Sequence, residues 1–359
     1  MGRKRTLVVT LLMMGLATLA VGALPGAETW HSAAPWALVA LRLIQGFAVG
    51  GEWAGAALLA AEHAPAGRRG FFGMFAQLGA PIAFIFSSVT FLLTSVTLGN
   101  DSPEFLSWGW RIPFLLSAVL IAVGLVVRLR VDETPVFREV VSRQRVPRAP
   151  LVVLLRTQWR QVLLGGGAIT GVFTLFYMAS AYLTSYGTAQ LHHGRTVVLV
   201  AGIVGGAAMA ATTVGSAVLC DRWGRRPVML IGFGAAAVWS VVLFPIVDSG
   251  SASAFAIGLA GTFAVLGISY GPMGSLLPET FDARCRYSGA GLAYNLGGVL
   301  GGAIPPLIAA PLAGAFGSIS IGVLMAALSV VSLGCVVAIA ETRNADLQVG
   351  DIVPVPESA

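Results

Sequence analysis

The chain has 359 residues, of which 56% are hydrophobic and 11% charged, and its formal net charge is +6. A water-soluble domain carries about a quarter charged residues, so this composition excludes a soluble globular protein and leaves lipid as the solvent. The basic residues fall in the connections between apolar runs, which is the habit of a membrane protein and excludes nucleic acid as the partner the charge is meant for.

Apolar stretches of the roughly 20 residues that cross a bilayer core recur ten times along the chain. They are expected at roughly 6–24, 36–61, 71–98, 110–130, 160–190, 196–219, 227–247, 253–277, 288–312 and 317–340. The runs are continuous and not alternating, which predicts helices and not barrel strands. The 45 glycines suit a lipid-embedded bundle whose helices approach closely. The start of the first span loosely fits a signal peptide or an acylated Gly2, but nine further apolar segments make a plain first span the simpler reading.

The second span holds Arg42 and Glu52, the two ionisable residues placed well inside an apolar run. At 100° per residue, Arg42, Gln45, Val49 and Glu52 share an arc of about 80°, and Arg42 and Glu52 lie about 15 Å apart along the axis. Charges inside a span are costly and mark function by default. Glu52 is expected to exchange a proton with a central cavity, and Arg42, with Gln45, to pair with a carboxylate or an anionic substrate. The alternative is a structural charge pair that only holds the bundle together.

Residues 131–159 form the one long polar connection, with Arg138, Glu139, Arg143, Arg145, Pro147 and Pro150. Proline and charge predict a solvated linker with a short amphipathic helix. It divides four spans (1–130) from six (160–345), and 346–359 reads as a polar tail. Counting connections alternately places 19 of the 22 basic residues on the side of the N-terminus, all but Arg42, Arg111 and Arg195. The bias of Lys and Arg towards the cytoplasm therefore predicts that both termini lie on the cytoplasmic side of the cell membrane.

An internal repeat runs through the chain. Gly2-Arg3-Lys4-Arg5 echoes Gly224-Arg225-Arg226-Pro227, Glu62…Arg68-Arg69-Gly70 echoes Glu279…Arg284…Arg286…Gly289, and Glu133-Thr134 echoes Glu341-Thr342. Matching elements keep their order and side, so the repeat is parallel. The second half has six spans with its basic turn after the second of them. By analogy two spans, ending in an Asp-Arg pair, are expected before Met1, giving a carrier of twelve helices of which ten are present.

These residues resemble the major facilitator superfamily. Asp221-Arg222-x-Gly224-Arg225-Arg226 is similar to its loop motif, and Arg42-Leu43-Ile44-Gln45-Gly46 running into Gly50-Gly51-Glu52-Trp53 to its fourth helix. Trp108-Gly109-Trp110-Arg111-Ile112-Pro113-Phe114, Glu133-Thr134-Pro135 and Leu277-Pro278-Glu279…Arg284…Arg286-Tyr287-Ser288-Gly289 resemble its metabolite–proton symporter branch, which includes carriers of shikimate, of proline and betaine, and of 2-oxoglutarate. The resemblance covers essentially the whole chain. It departs at Ala217, where the family has glycine, and in lacking the first two helices.

The resemblance implies an all-α membrane carrier that moves a small polar metabolite, an organic acid or a zwitterion, by alternating access with protons as the second partner, as a monomer in the lipid bilayer. Arg3, Lys4, Asp221, Arg222, Gly224, Arg225 and Arg226 are expected to form a cytoplasmic gate, with Glu279, Arg284 and Arg286 in the same latch. Thr170, Thr174, Tyr177 and Thr184 share a face in the fifth span. Thr174, Tyr177, Gln77 and Asn295 are candidate substrate contacts, although Ser and Thr hydroxyls commonly bond back to their own helix. No phosphate loop, nucleophile elbow or metal cluster occurs, and Cys220, Cys285 and Cys335 are irregularly spaced, so no cofactor, metal or enzymatic chemistry is expected. The alternatives are a proton-coupled drug or sugar antiporter and a remnant that does not transport.

Overall fold

In hydrocarbon every backbone N–H and C=O must find a partner within the protein, which long apolar runs achieve by becoming helices. A computed structural model describes residues 3–65, 67–99, 102–130, 150–283 and 285–343. Among them no strand occurs, and ten helices are long and apolar enough to cross a membrane. They are α1 (Arg3–Ala23), α2 (Ala33–His63), α3 (Arg69–Leu98), α4 (Gly109–Arg130), α5 (Trp159–Ala189), α6 (Arg195–Trp223), α7 (Arg225–Val247), α8 (Ala252–Thr280), α9 (Arg286–Phe316) and α10 (Ile319–Ala338). All ten fall on the expected spans. A short helix at Pro150–Thr157 precedes α5, while residues 131–149 of the predicted linker and the tail lie outside the described residues.

The helices after the linker pack most extensively on one another, α8 against α6 and α7, and α10 against α5 and α7. Phe233, Phe244, Phe255 and Phe263 are fully buried there. In the first four, α1 lies between α2 and α4. From Ile112 to Arg130 no residue of α4 is buried, and Leu116, Val119, Leu120 and Val123 present an apolar outer face, as a helix bathed in lipid requires. The two groups meet where α3 packs on α6 and α8, and α2 on α9.

Two helices contain π-turns. A π-turn interrupts α5 at Met178–Leu183 and another interrupts α9 at Gly298–Ala303. The second lies just before Pro305-Pro306, whose missing N–H groups leave carbonyls one turn earlier unpaired, and a wider turn absorbs the mismatch. The distortion at this Pro-Pro pair is thus a π-turn. At Gly271-Pro272 the helix runs on through Ala252–Thr280.

Candidate functional site

The helix ends that carry the arginines are joined by a buried ionic network. Arg225 and Glu279 are both buried; the guanidinium donates to both carboxylate oxygens, Nε to Oε2 at 3.1 Å and Nη2 to Oε1 at 3.0 Å. A planar guanidinium matches a carboxylate in this two-point fashion. Arg225 also donates to Asp221 Oδ1 at 3.2 Å. Thr342 Oγ1 donates to Glu279 at 2.7 Å. Glu341 accepts the backbone N–H groups of Arg225 and Arg226 at 2.9 and 3.0 Å, so it caps the positive end of α7.

The same network crosses between the first four helices and the last six. Asp221, at the end of α6, accepts the N–H groups of Gly70 and Phe71, each at 2.8 Å, and so caps α3. Arg69 lies 3.9 Å from Glu279, and Arg286 lies 4.0 Å from Glu62. Close approach is needed for these bonds. A Cβ on Gly70 would sit 2.7 Å from the Ala217 carbonyl oxygen, and one on Gly274 2.7 Å from the Gly73 carbonyl oxygen. Gly224 holds a φ of +104° and faces the Glu341 carboxylate, which would lie 2.6 Å from a Cβ. Only glycine takes that backbone readily and leaves room for the cap.

A second layer lies about 12–15 Å further in, eight to ten residues from the arginine-rich helix ends at 1.5 Å per residue. Trp53 of α2 stacks on Tyr294 of α9 with centroids 4.1 Å apart and planes 12° from parallel. Its Nε1 donates to Gln77 at 2.8 Å, and Gln77 donates to the Tyr270 carbonyl at 3.0 Å. Tyr287 donates to the Gly51 carbonyl at 2.6 Å and Asn295 to that of Gly50 at 3.1 Å. Each bond except that of Trp53 to Gln77 joins the two groups of helices.

Beyond this layer is a cavity of about 100 Å³ lined by Ala80 of α3, Val172, Phe173, Phe176 and Tyr177 of α5, Met209 of α6, Leu266 and Tyr270 of α8, and Tyr294 of α9. Both groups of helices contribute to it, and it lies beside the π-turn of α5.

A model of the Major Facilitator Superfamily matches residues 1–306. The chain belongs to that superfamily. Curated relatives of this superfamily member include the inner membrane metabolite transport protein YhjE of Escherichia coli K12, 39% identical over 96% of this chain and 79% of that protein. The shikimate transporter of the same organism is 35% identical over 87% of this chain and 72% of its own length. Among solved structures, the proton:xylose symporter XylE aligns with a TM-score of 0.75 and 17% identity over 96% of this chain and 82% of that one, which speaks for the fold alone. The relatives are transporters, and this superfamily member is a multi-pass membrane transporter, not an enzyme.

The expected residues of this transporter are distributed over three places. Asp221, Gly224, Arg225, Arg226, Glu279 and Arg286 meet in the ionic network, where Arg226 donates to the Val337 carbonyl at 2.6 Å. Arg222 lies at the end of α6, apart from the bonds of the network described above; Arg284 and the side chains of Arg3 and Lys4 lie outside the described residues. Tyr177 lines the cavity, while Gln77 and Asn295 lie in the layer that joins the two groups of helices. Thr174 is fully buried and donates to the Thr170 carbonyl, and Thr170 to that of Gly166, so both hydroxyls bond back to their own helix.

The α2 stripe divides. Arg42 is exposed and donates to Gln45 at 3.1 Å, and Gln45 donates to Thr18 of α1 at 2.7 Å. Glu52 pairs with Arg128 of α4, not with Arg42, and Arg128 also donates to the Leu7 carbonyl. Arg128 escaped the sequence reading because it sits in a basic helix end that topology alone explains. Trp53, Phe173, Tyr270 and Tyr294 escaped because an aromatic ring in an apolar span carries no mark that separates a cavity wall from packing.

Proposed function

We propose that this protein is a proton symporter that carries a small polar metabolite, an organic acid or a zwitterion, across the cytoplasmic membrane by alternating access. The half-bundles are residues 1–130 and 160–345, the arginine-rich end and both termini face the cytoplasm, and the carrier works as a monomer. One observation carries the reading: every polar bond described above between the two groups of helices lies on one side of the cavity. Such a one-sided seal is what a carrier needs in the state that is shut to the cytoplasm, and rocking the half-bundles apart there would release the solute inward.

Glu52 is the proposed proton carrier. It is an ionisable group within a span, and taking up a proton dissolves its pair with Arg128, which ties α2 to α4 and α1. In proteoliposomes holding the full chain, an inward proton gradient is expected to drive accumulation that a protonophore abolishes. Glu52→Gln is expected to remove accumulation against a gradient while leaving exchange. Uphill uptake that survives in this variant would sink the coupling role.

A further inference from the structure

We propose that the short helix Pro150–Thr157, together with the start of α5, is a docking surface for anionic phospholipid headgroups at the arginine-rich end of the bundle. Such docking does not depend on the carrier reading. One face of the short helix is fixed to the protein. Leu154 is fully buried, and Gln158, which follows the helix, is buried too. The Gln158 amide meets Asp282 of the α8–α9 connection at two points: Nε2 donates to Oδ2 at 2.8 Å, and Oε1 accepts the Asp282 N–H at 3.3 Å. Asp282 stands in the chain between Glu279 and Arg286 of the ionic network. With Leu154 held inward, Val152, Leu155 and Arg156 point about 100–160° away from it at 100° per residue. Leu151, Val152, Leu155 and Trp159 are each 48–50% exposed, and Arg156 and Arg160 are exposed beside them.

Charge and hydration decide what covers this face. No acidic residue lies between Pro150 and Arg160. Arg156 makes no hydrogen bond or ion pair with another described residue. The Arg160 guanidinium lies 5.4 Å from the centroid of the Trp159 ring and pairs with no described carboxylate. Water would leave four apolar side chains hydrated, which is unfavourable in proportion to their area. Hydrocarbon alone would leave two guanidinium groups without partners. The headgroup layer suits both kinds of group. Leucine, valine and tryptophan rest at the boundary of the acyl chains, and a guanidinium matches phosphate oxygens in a two-point fashion. A zwitterionic headgroup carries its own cation, so an anionic one is favoured, by about fivefold for each arginine.

The test is quenching of tryptophan fluorescence in the purified full chain, held in nanodiscs of mixed phosphatidylcholine and phosphatidylglycerol. Either the phosphatidylglycerol or an equal amount of the phosphatidylcholine carries bromine on its acyl chains near the headgroup. The Trp159 signal is the difference between the unaltered chain and Trp159→Phe, with folding of every variant checked by size-exclusion chromatography. Brominated phosphatidylglycerol is expected to quench Trp159 about twofold or more above brominated phosphatidylcholine. Arg156→Gln combined with Arg160→Gln is expected to remove that preference, as is high salt. Arg68→Gln, which alters an exposed arginine elsewhere at the same end, is expected to keep it. Equal quenching by the two lipids, a preference that survives in the double variant, or an equal loss in Arg68→Gln would each overturn the proposal. So would quenching by aqueous acrylamide in place of either lipid, which puts the face in water. Shielding of Trp159 from acrylamide and from both lipids would also overturn it, since protein such as a second copy of the chain would then cover the face.

Discussion

At the residue scale the Arg225–Glu279 pair decides how firmly the arginine-rich end is shut. A buried ion pair stabilises little relative to apolar residues of the same shape, but removing one partner strands a charge at a cost of about 3–5 kcal/mol. Glu279→Gln is therefore expected to lower the unfolding midpoint of the detergent-solubilised protein by a free energy in that range. The double change Arg225→Met with Glu279→Leu should recover most of it. A double variant as unstable as Glu279→Gln would mean that the pair contributes beyond charge neutralisation. Asp221 acts differently, because its carboxylate caps a helix of the other group. Asp221→Ala is expected to loosen the closed end by the worth of a cap, about 0.5–2 kcal/mol. Cys285 is in no disulfide and is buried near this end, so its labelling by maleimide should rise about two- to thirtyfold. Unchanged labelling would place the opening motion elsewhere.

At the scale of elements the closed end depends on the contact of α3 with α8. A side chain on Gly274 would press on the Gly73 backbone, which cannot yield as a flexible side chain would. Gly274→Val is expected to hold these helices apart, raising Cys285 labelling more than Asp221→Ala does and lowering the rate of uptake. Gly79→Val serves as the comparison, since a Cβ there meets nothing within 4 Å. If both substitutions behave alike, close backbone approach is not what seals the end. The π-turns of α5 and α9 lie at the depth of the cavity, and no residue pattern in α5 foretells one. In α9 the Pro-Pro pair does.

At the scale of the whole molecule, the closed end, the aromatic layer and the cavity form a sequence of three levels along the membrane normal. Proposed transport requires the first two to part while the cavity holds its solute. Proteoliposomes with the arginine-rich face inward are thus expected to show Cys285 labelling from the inside that rises when solute and protons are both supplied. A rise with solute alone would separate opening from proton binding.

The ten spans and the helical class were legible in the chain, because lipid permits one kind of backbone and a continuous apolar run declares it. The loop motif at Asp221 was legible too, since charge in an apolar sequence stands out. Partnership was not. Glu52 and Arg42 share a helix face, yet Glu52 finds Arg128, which comes 76 residues later. Gln77 and Asn295 are polar residues in apolar spans, and only their neighbours show that they bond across the two groups of helices. The sequence by itself determined which ten of the described segments are long and apolar enough to cross a membrane, because local composition settles which segments lipid will accept, and its motifs pointed to the superfamily of transporters to which the chain belongs. Which charges neutralise one another, which helix ends are capped and which rings surround the cavity were decided by the tertiary structure alone. Those contacts join residues far apart in the chain, and periodicity within one helix carries no record of the helix that packs against it.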